Sequence, residues 1–182
     1  WLARPGPTPR VRFSLQIVRS FWIITSRPEA EISLRTRSTI AIELPLTPRG
    51  GADHTVKAYL VEKYKSPIKA GEVAEPTVGD RDVLVDIHAA GVNVLDAKIR
   101  DGEFKLILPY KAPFVLGHDL AGVVTRVGSA VTRFSVGDEV YARPRDGRVG
   151  TFAQRIAVHE DDLATKPASL SMAEAASVPL VA

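Results

Sequence analysis

The stretch from Asp82 to Tyr141 constrains the fold most. It holds two apolar runs, Val83-Leu84-Val85-Asp86-Ile87 and Leu120-Ala121-Gly122-Val123-Val124-Thr125-Arg126-Val127. Their alternation and β-branched content predict strands. Between them lies an irregular segment carrying Asn93, Asp96, Tyr110 and His118, the densest set of polar side chains able to do chemistry. Gly122 interrupts the second run, and a glycine inside a strand often lets another backbone or a ligand come close.

The rest of the body extends the pattern. Val56 to Glu62 alternates as a strand, and Ala70 to Glu75 gives a shorter one stopped by Pro76. Gly79-Asp80 supplies a turn into the Asp82–Ile87 strand. Asn93 to Arg100 reads as one short helix with Gly102 as its stop, and Pro109 and Pro113 mark the loop that follows. Ser135–Asp138 turns into a strand over Glu139–Ala142, with further strands expected over Thr151–Val158 and Leu163–Lys166. Ser171 and Glu174 have the spacing of a capping box, which opens a helix over Met172–Ser177 that ends before Pro179. Short strands separated by turns predict a mainly β domain, a closed or partly open barrel with short helices.

Composition narrows the chemistry. The chain has no Cys, which excludes disulfides, thiolate zinc sites and a cysteine nucleophile within it. Its formal net charge is +3, but eight Arg and four acids lie before His54, leaving residues 54–182 close to −1. The body therefore has no basic stripe for nucleic acid. Residues 1–53 are rich in Arg and free of Lys, with no clean period. They read as a leader: sequence with no fold of its own, an organelle transit peptide, or an accessory element. Phe13 to Ile24 suits a short amphipathic helix, too short and too charged at Arg19 for a membrane span. Gly50-Gly51 marks the seam, so the expected division is a leader over 1–53 and a domain over 54–182. The expected location is cytoplasmic, or an organelle if the leader is a transit peptide.

Three phrases carry a resemblance: AAGVNVLDAKIRDG (Ala89–Gly102), LGHDLAGVVTRVGSAVTRFSVGDEVYA (Leu116–Ala142) and GTFAQRIAV (Gly150–Val158). They resemble the catalytic domain of the medium-chain dehydrogenase/reductase superfamily, in particular its zinc-free quinone oxidoreductase branch. The resemblance covers about Val56 to Ala182. It implies a GroES-like, partly open β-barrel and hydride transfer from NADPH to a quinone, an enone or another activated carbonyl compound. It also implies a homodimer in the full-length protein. The family's second, Rossmann-type domain opens with a Gly-x-Gly-x-x-Gly turn that this chain lacks. The chain is accordingly expected to be the N-terminal, catalytic fragment, truncated before the domain that carries most cofactor contacts.

The same resemblance assigns site residues. Zinc-dependent relatives place a Cys where this chain has Asn93 and a His-Glu pair where it has His118-Asp119. With one imidazole and no Cys, no zinc is expected. Asn93 is the expected catalytic donor to the acceptor oxygen and touches the nicotinamide end of the cofactor; its other reading is a helix cap. Asp96, one turn on, orders Asn93 or a water, or is a solvated first-turn acid. Phe104 stands where relatives often have Tyr, and Tyr110 is the candidate replacement hydroxyl. Phe104 and His118 are expected at the substrate; His118 is a proton relay or a hydrogen-bonded structural residue. Arg143, Arg145 and Arg148 reach a cofactor phosphate or line a solvated loop. Rival readings are a non-catalytic binding barrel, a co-chaperonin and a zinc alcohol dehydrogenase.

Overall fold

The computed structural model describes residues 55–182 and, before them, the backbone of residues 17–18, 21–22 and 40–43. Strands β1 (Ile17–Val18) and β2 (Phe21–Trp22) pair antiparallel. Where a helix over Phe13–Ile24 was an alternative, these residues are extended, as β-branched and aromatic side chains favour; the other residues of that segment lie outside the described ones.

The main sheet has six strands. Its path runs β10 (Arg155–His159), β6 (Asp82–Val92), β8 (Asp119–Val127), β9 (Glu139–Ala142) and β11 (Leu163–Thr165). Strand β3 (Ile40–Glu43) also pairs with β6, along Ala89–Val92, beside the length taken by β10. A second sheet runs β5 (Lys69–Ala74), β4 (Thr55–Val61) and β7 (Phe114–Val115). The sheets are open, so the closed-barrel alternative is not realised. Instead residues 152–154 stitch them together. Tyr59 donates its backbone N–H to Phe152 O at 2.7 Å, Gln154 donates to Lys57 O at 2.9 Å, and Ile87 donates to Gln154 O at 2.8 Å. That stitching is why the strand expected over Thr151–Val158 begins only at Arg155.

The core forms where the two sheets and helix α1 (Val94–Arg100) meet. Val61, Val83, Val85, Ile99, Leu120, Val124 and Val140 are all buried. Full burial of an aliphatic side chain of this size stabilises by about 1.5–3 kcal/mol each. Strand β6 runs five residues past its predicted end because His88-Ala89-Ala90-Gly91-Val92 continues the pairing beyond a bulge after Ile87. The small residues there make room. Ala89 and Ala121 pack against Ala175 and Ala176 of helix α2 (Met172–Ala176), which the predicted Ser171–Glu174 capping box opens. Gly122 behaves as expected of a strand glycine: a Cβ there would lie 2.1 Å from Asp86 O on β6.

Candidate active site

The N-terminus of α1 organises the site. Asn93 is extended, at φ −121° and ψ 154°, and its Oδ1 accepts the Leu95 N–H at 3.4 Å. Asp96 closes the capping box by accepting the Asn93 N–H at 2.7 Å on Oδ2. This cap satisfies amides that no helical carbonyl can reach. It also fixes the Asn93 amide, because the oxygen is committed to Leu95. The Asn93 Nδ2 amine, on a half-buried side chain, is left without a hydrogen-bond partner among the described residues.

The second oxygen of Asp96 reaches across 22 residues of sequence. Oδ1 meets His118 Nδ1 at 2.7 Å, in the strand entry just before β8. Both side chains are sealed, Asp96 at 2% and His118 at 0% exposure. Asp96 is thus a buried bridge between cap and imidazole and not a solvated first-turn acid. Asn93, Asp96 and His118 therefore form one connected unit, as their separate candidacies did not require.

Polar groups without partners gather around this unit. His118 Nε2, Asp119 Oδ1 and Thr151 Oγ1 are buried with no hydrogen-bond partner among the described residues. Asp119 follows His118 in sequence and is 3% exposed. Burial, and then the neighbouring charge of Asp96, push its carboxyl up from 3.8 to about 7. The Leu180 backbone amide, His118 and Arg143 pull the other way. Thr151 lies behind Gly117, where a Cβ would sit 2.4 Å from Thr151 Oγ1, and φ of Gly117 is +106°. Only glycine reconciles that close approach with that conformation. Thr151 carried no signal of its own in the sequence; Asp119 was visible only as the acid beside His118.

Tyr110 and Phe104 belong to other contacts. Tyr110 stacks on Phe114 with ring centroids 5.3 Å apart, its hydroxyl accepts the Gly147 N–H at 3.4 Å, and burial raises its phenol above the ordinary value. Phe104 packs, half-buried, against the edge of the core. The three arginines of the Arg143–Gly150 loop are engaged with acids. Arg148 forks onto Asp82 with two contacts of 2.8 Å, Arg145 forks onto Asp162 at 2.8 and 2.9 Å, and Arg143 meets Asp146 at 2.9 Å.

Free neutral donors and acceptors beside two carboxylates suit an uncharged amide or carbonyl, such as the nicotinamide end of a dinucleotide or an acceptor oxygen. They do not suit phosphate, and the loop arginines are already paired. Among the described residues no group of three or more His, Cys, Asp or Glu gathers as a metal site. A depression between Ala74–Asp80 and Arg126–Ser129 includes none of these site residues.

Fold and site define a mainly β domain in which the cap of helix α1 is joined to a buried Asp–His pair. Residues 79–168 match the alcohol dehydrogenase GroES-like domain. The chain is 40% identical over 114 residues to the NADPH-dependent alkenal/one oxidoreductase, chloroplastic, of Arabidopsis thaliana, covering 59% of this chain and 29% of that protein. It is 37% identical over 115 residues to the quinone-oxidoreductase homolog, chloroplastic, of Spinacia oleracea, covering 63% and 35%. A crystal structure of an alcohol dehydrogenase superfamily protein from Novosphingobium aromaticivorans superposes with a TM-score of 0.65 at 42% identity, over 69% of this chain and 38% of that one. The chain belongs to the medium-chain dehydrogenase/reductase superfamily, through its GroES-like domain. It spans about a third of the length of these curated relatives.

Proposed function

We propose that the protein is a zinc-independent, NADPH-dependent oxidoreductase reducing an enone, a quinone or another activated carbonyl compound, and that this domain forms the acceptor side of its site. One observation carries the reading. The capping geometry commits Asn93 Oδ1 to the helix and leaves Nδ2, on a half-buried side chain, as an oriented donor. In such a reduction NADPH supplies the hydride, and negative charge grows on the acceptor oxygen. A preorganised donor aimed there lowers the barrier without reorganising during the reaction. Asn93 and His118 would lie at the nicotinamide end, while the phosphates would be held by residues other than these.

Asp96 keeps the Asn93 backbone and the His118 ring in place. Phe104 and Tyr110 are proposed to contribute an apolar wall and a hydroxyl to the acceptor pocket. The names of the relatives support the acceptor class; the absence of Cys from the sequence supports zinc independence. Stoichiometric, submicromolar zinc in isothermal titration would overturn that part. No helix among the described residues is long and apolar enough to cross a membrane. The chloroplastic names of the two relatives support an organelle as the place to look first, by imaging a tagged protein, with a cytoplasmic signal as the contrary result. The full-length protein is proposed to be a homodimer, which sedimentation would show.

The test is Asn93→Ala in the full-length protein, with NADPH oxidation followed against an enone and a quinone. Losing one oxyanion donor is expected to lower kcat by at least about tenfold. Unchanged turnover would remove Asn93 from the mechanism.

A further inference from the structure

The Asp96–His118 pair has a geometry that a merely structural histidine does not need. Asp96 accepts on both oxygens, from the Asn93 N–H at 2.7 Å and from His118 Nδ1 at 2.7 Å. A carboxylate accepting from Nδ1 fixes the proton of the neutral ring on that nitrogen and leaves Nε2 as the free base. That nitrogen is fully enclosed and has no partner among the described residues. A buried polar atom left unsatisfied costs about 1–3 kcal/mol, so its persistence calls for a partner that arrives. The charged groups facing it are Asp96 from α1 and Asp119 from β8, with Arg143 acting on Asp119 from beyond β9.

We propose that His118 is the proton relay of the reduction and that Asp96 is its positioning residue, the relay reaching the acceptor through one water. This rests on the enone or quinone reading above and names the proton source within it. NADPH is the reductant. Once the acceptor carbon has received hydride, the displaced electron pair resides on the acceptor oxygen. The oxygen takes a proton from the bridging water, and the water takes one from His118 Nε2–H. The ring is left neutral with its remaining proton on Nδ1, held by Asp96, and regains the Nε2 proton from solvent. One hydride and one proton are added, and no further oxidant or reductant is needed. A general acid can act through one water, so an enclosed imidazole needs no direct contact with the acceptor. Asn93 and His118 then divide the work: the amide stabilises the developing charge and the imidazole neutralises it.

Two measurements on the full-length protein test this. Ring-nitrogen NMR of the wild type at high pH is expected to show His118 protonated on Nδ1 and bare on Nε2; the opposite tautomer overturns the inference without any variant. Stopped-flow and steady-state kinetics then compare wild type with His118→Gln. The expected loss in kcat is on the order of 100-fold. Asp96→Asn is expected to shift the tautomer as well as lower kcat, which a loss of packing alone would not do. A wild type that oxidises no NADPH with enone or quinone overturns the functional reading and this inference with it. Full turnover in His118→Gln overturns this inference alone.

Discussion

Replacing Asp119 by Asn should stabilise the protein, and increasingly so as pH rises. The carboxyl is 3% exposed and titrates near 7 against 3.8 for an ordinary aspartate, chiefly because burial penalises its charge. The folded value lies above the unfolded one, so the native state holds more protons in between. Stability from this group is therefore complete below about pH 4 and is lost as pH rises through about 7. Raising the carboxyl from 3.8 to about 7, at about 1.4 kcal/mol per tenfold change in proton affinity, sets an upper bound of about 4 kcal/mol, a large part of the roughly 5–15 kcal/mol typical of a domain. Asn keeps the shape and an oxygen for the Leu180 amide but cannot ionise. Urea unfolding followed by circular dichroism at pH 4.5, 6, 7 and 8 should show the variant's advantage growing by at least about 1 kcal/mol across that window and levelling above it. An advantage independent of pH, or one that shrinks as pH rises, would refute the claim that Asp119 is a desolvated acid.

Other expectations follow from the same packing. Ile99→Ala opens a cavity where α1 meets the core and should cost about 2–5 kcal/mol in chemical unfolding, with the cap at Asn93 loosened in amide exchange. Thr151→Val removes a buried hydroxyl that has no partner among the described residues, and thermal melting should show it neutral or stabilising by up to about 1 kcal/mol. Gly122→Ala forces a Cβ against Asp86 O, and a loss of about 1–3 kcal/mol is expected from pushing β8 off β6. A chain starting at residue 54 should keep most of its melting temperature, since β3 contributes only four residues to the main sheet; failure to fold would show that the leader belongs to the domain.

Much of this architecture could be read from sequence because local chemistry dictated it. The Ser171–Glu174 box has the spacing that a helix start requires, and Gly102, at φ +79°, ends α1 where expected. The β-branched runs of β6 and β8 could hardly be anything but strands. What sequence did not yield was long-range. His88 to Gly91 lacks strand formers, and β6 continues there because β8 and β3 pair with it and α2 packs onto Ala89 and Ala121. The Asn93 box differs from the usual Ser/Thr…Glu form by using Asp96, so the residue was legible as a cap but not as a bridge. Nothing in the spacing of Asp96 and His118 announces that they touch, nor that Asp82 and Asp162 engage the loop arginines Arg148 and Arg145. Those contacts depend on which strands become neighbours, and neighbours are set by the whole fold.

The proposed function requires hydride transfer to an activated double bond. The most direct measurement is to incubate the full-length protein with NADPH deuterated at nicotinamide C4 and an enone, and to examine the reduced product by mass spectrometry. Deuterium at the β-carbon, with NADPH consumed one for one, is the predicted result. A protein that leaves both the enone and a quinone unreduced, or a product without deuterium from either C4 face, would contradict the account.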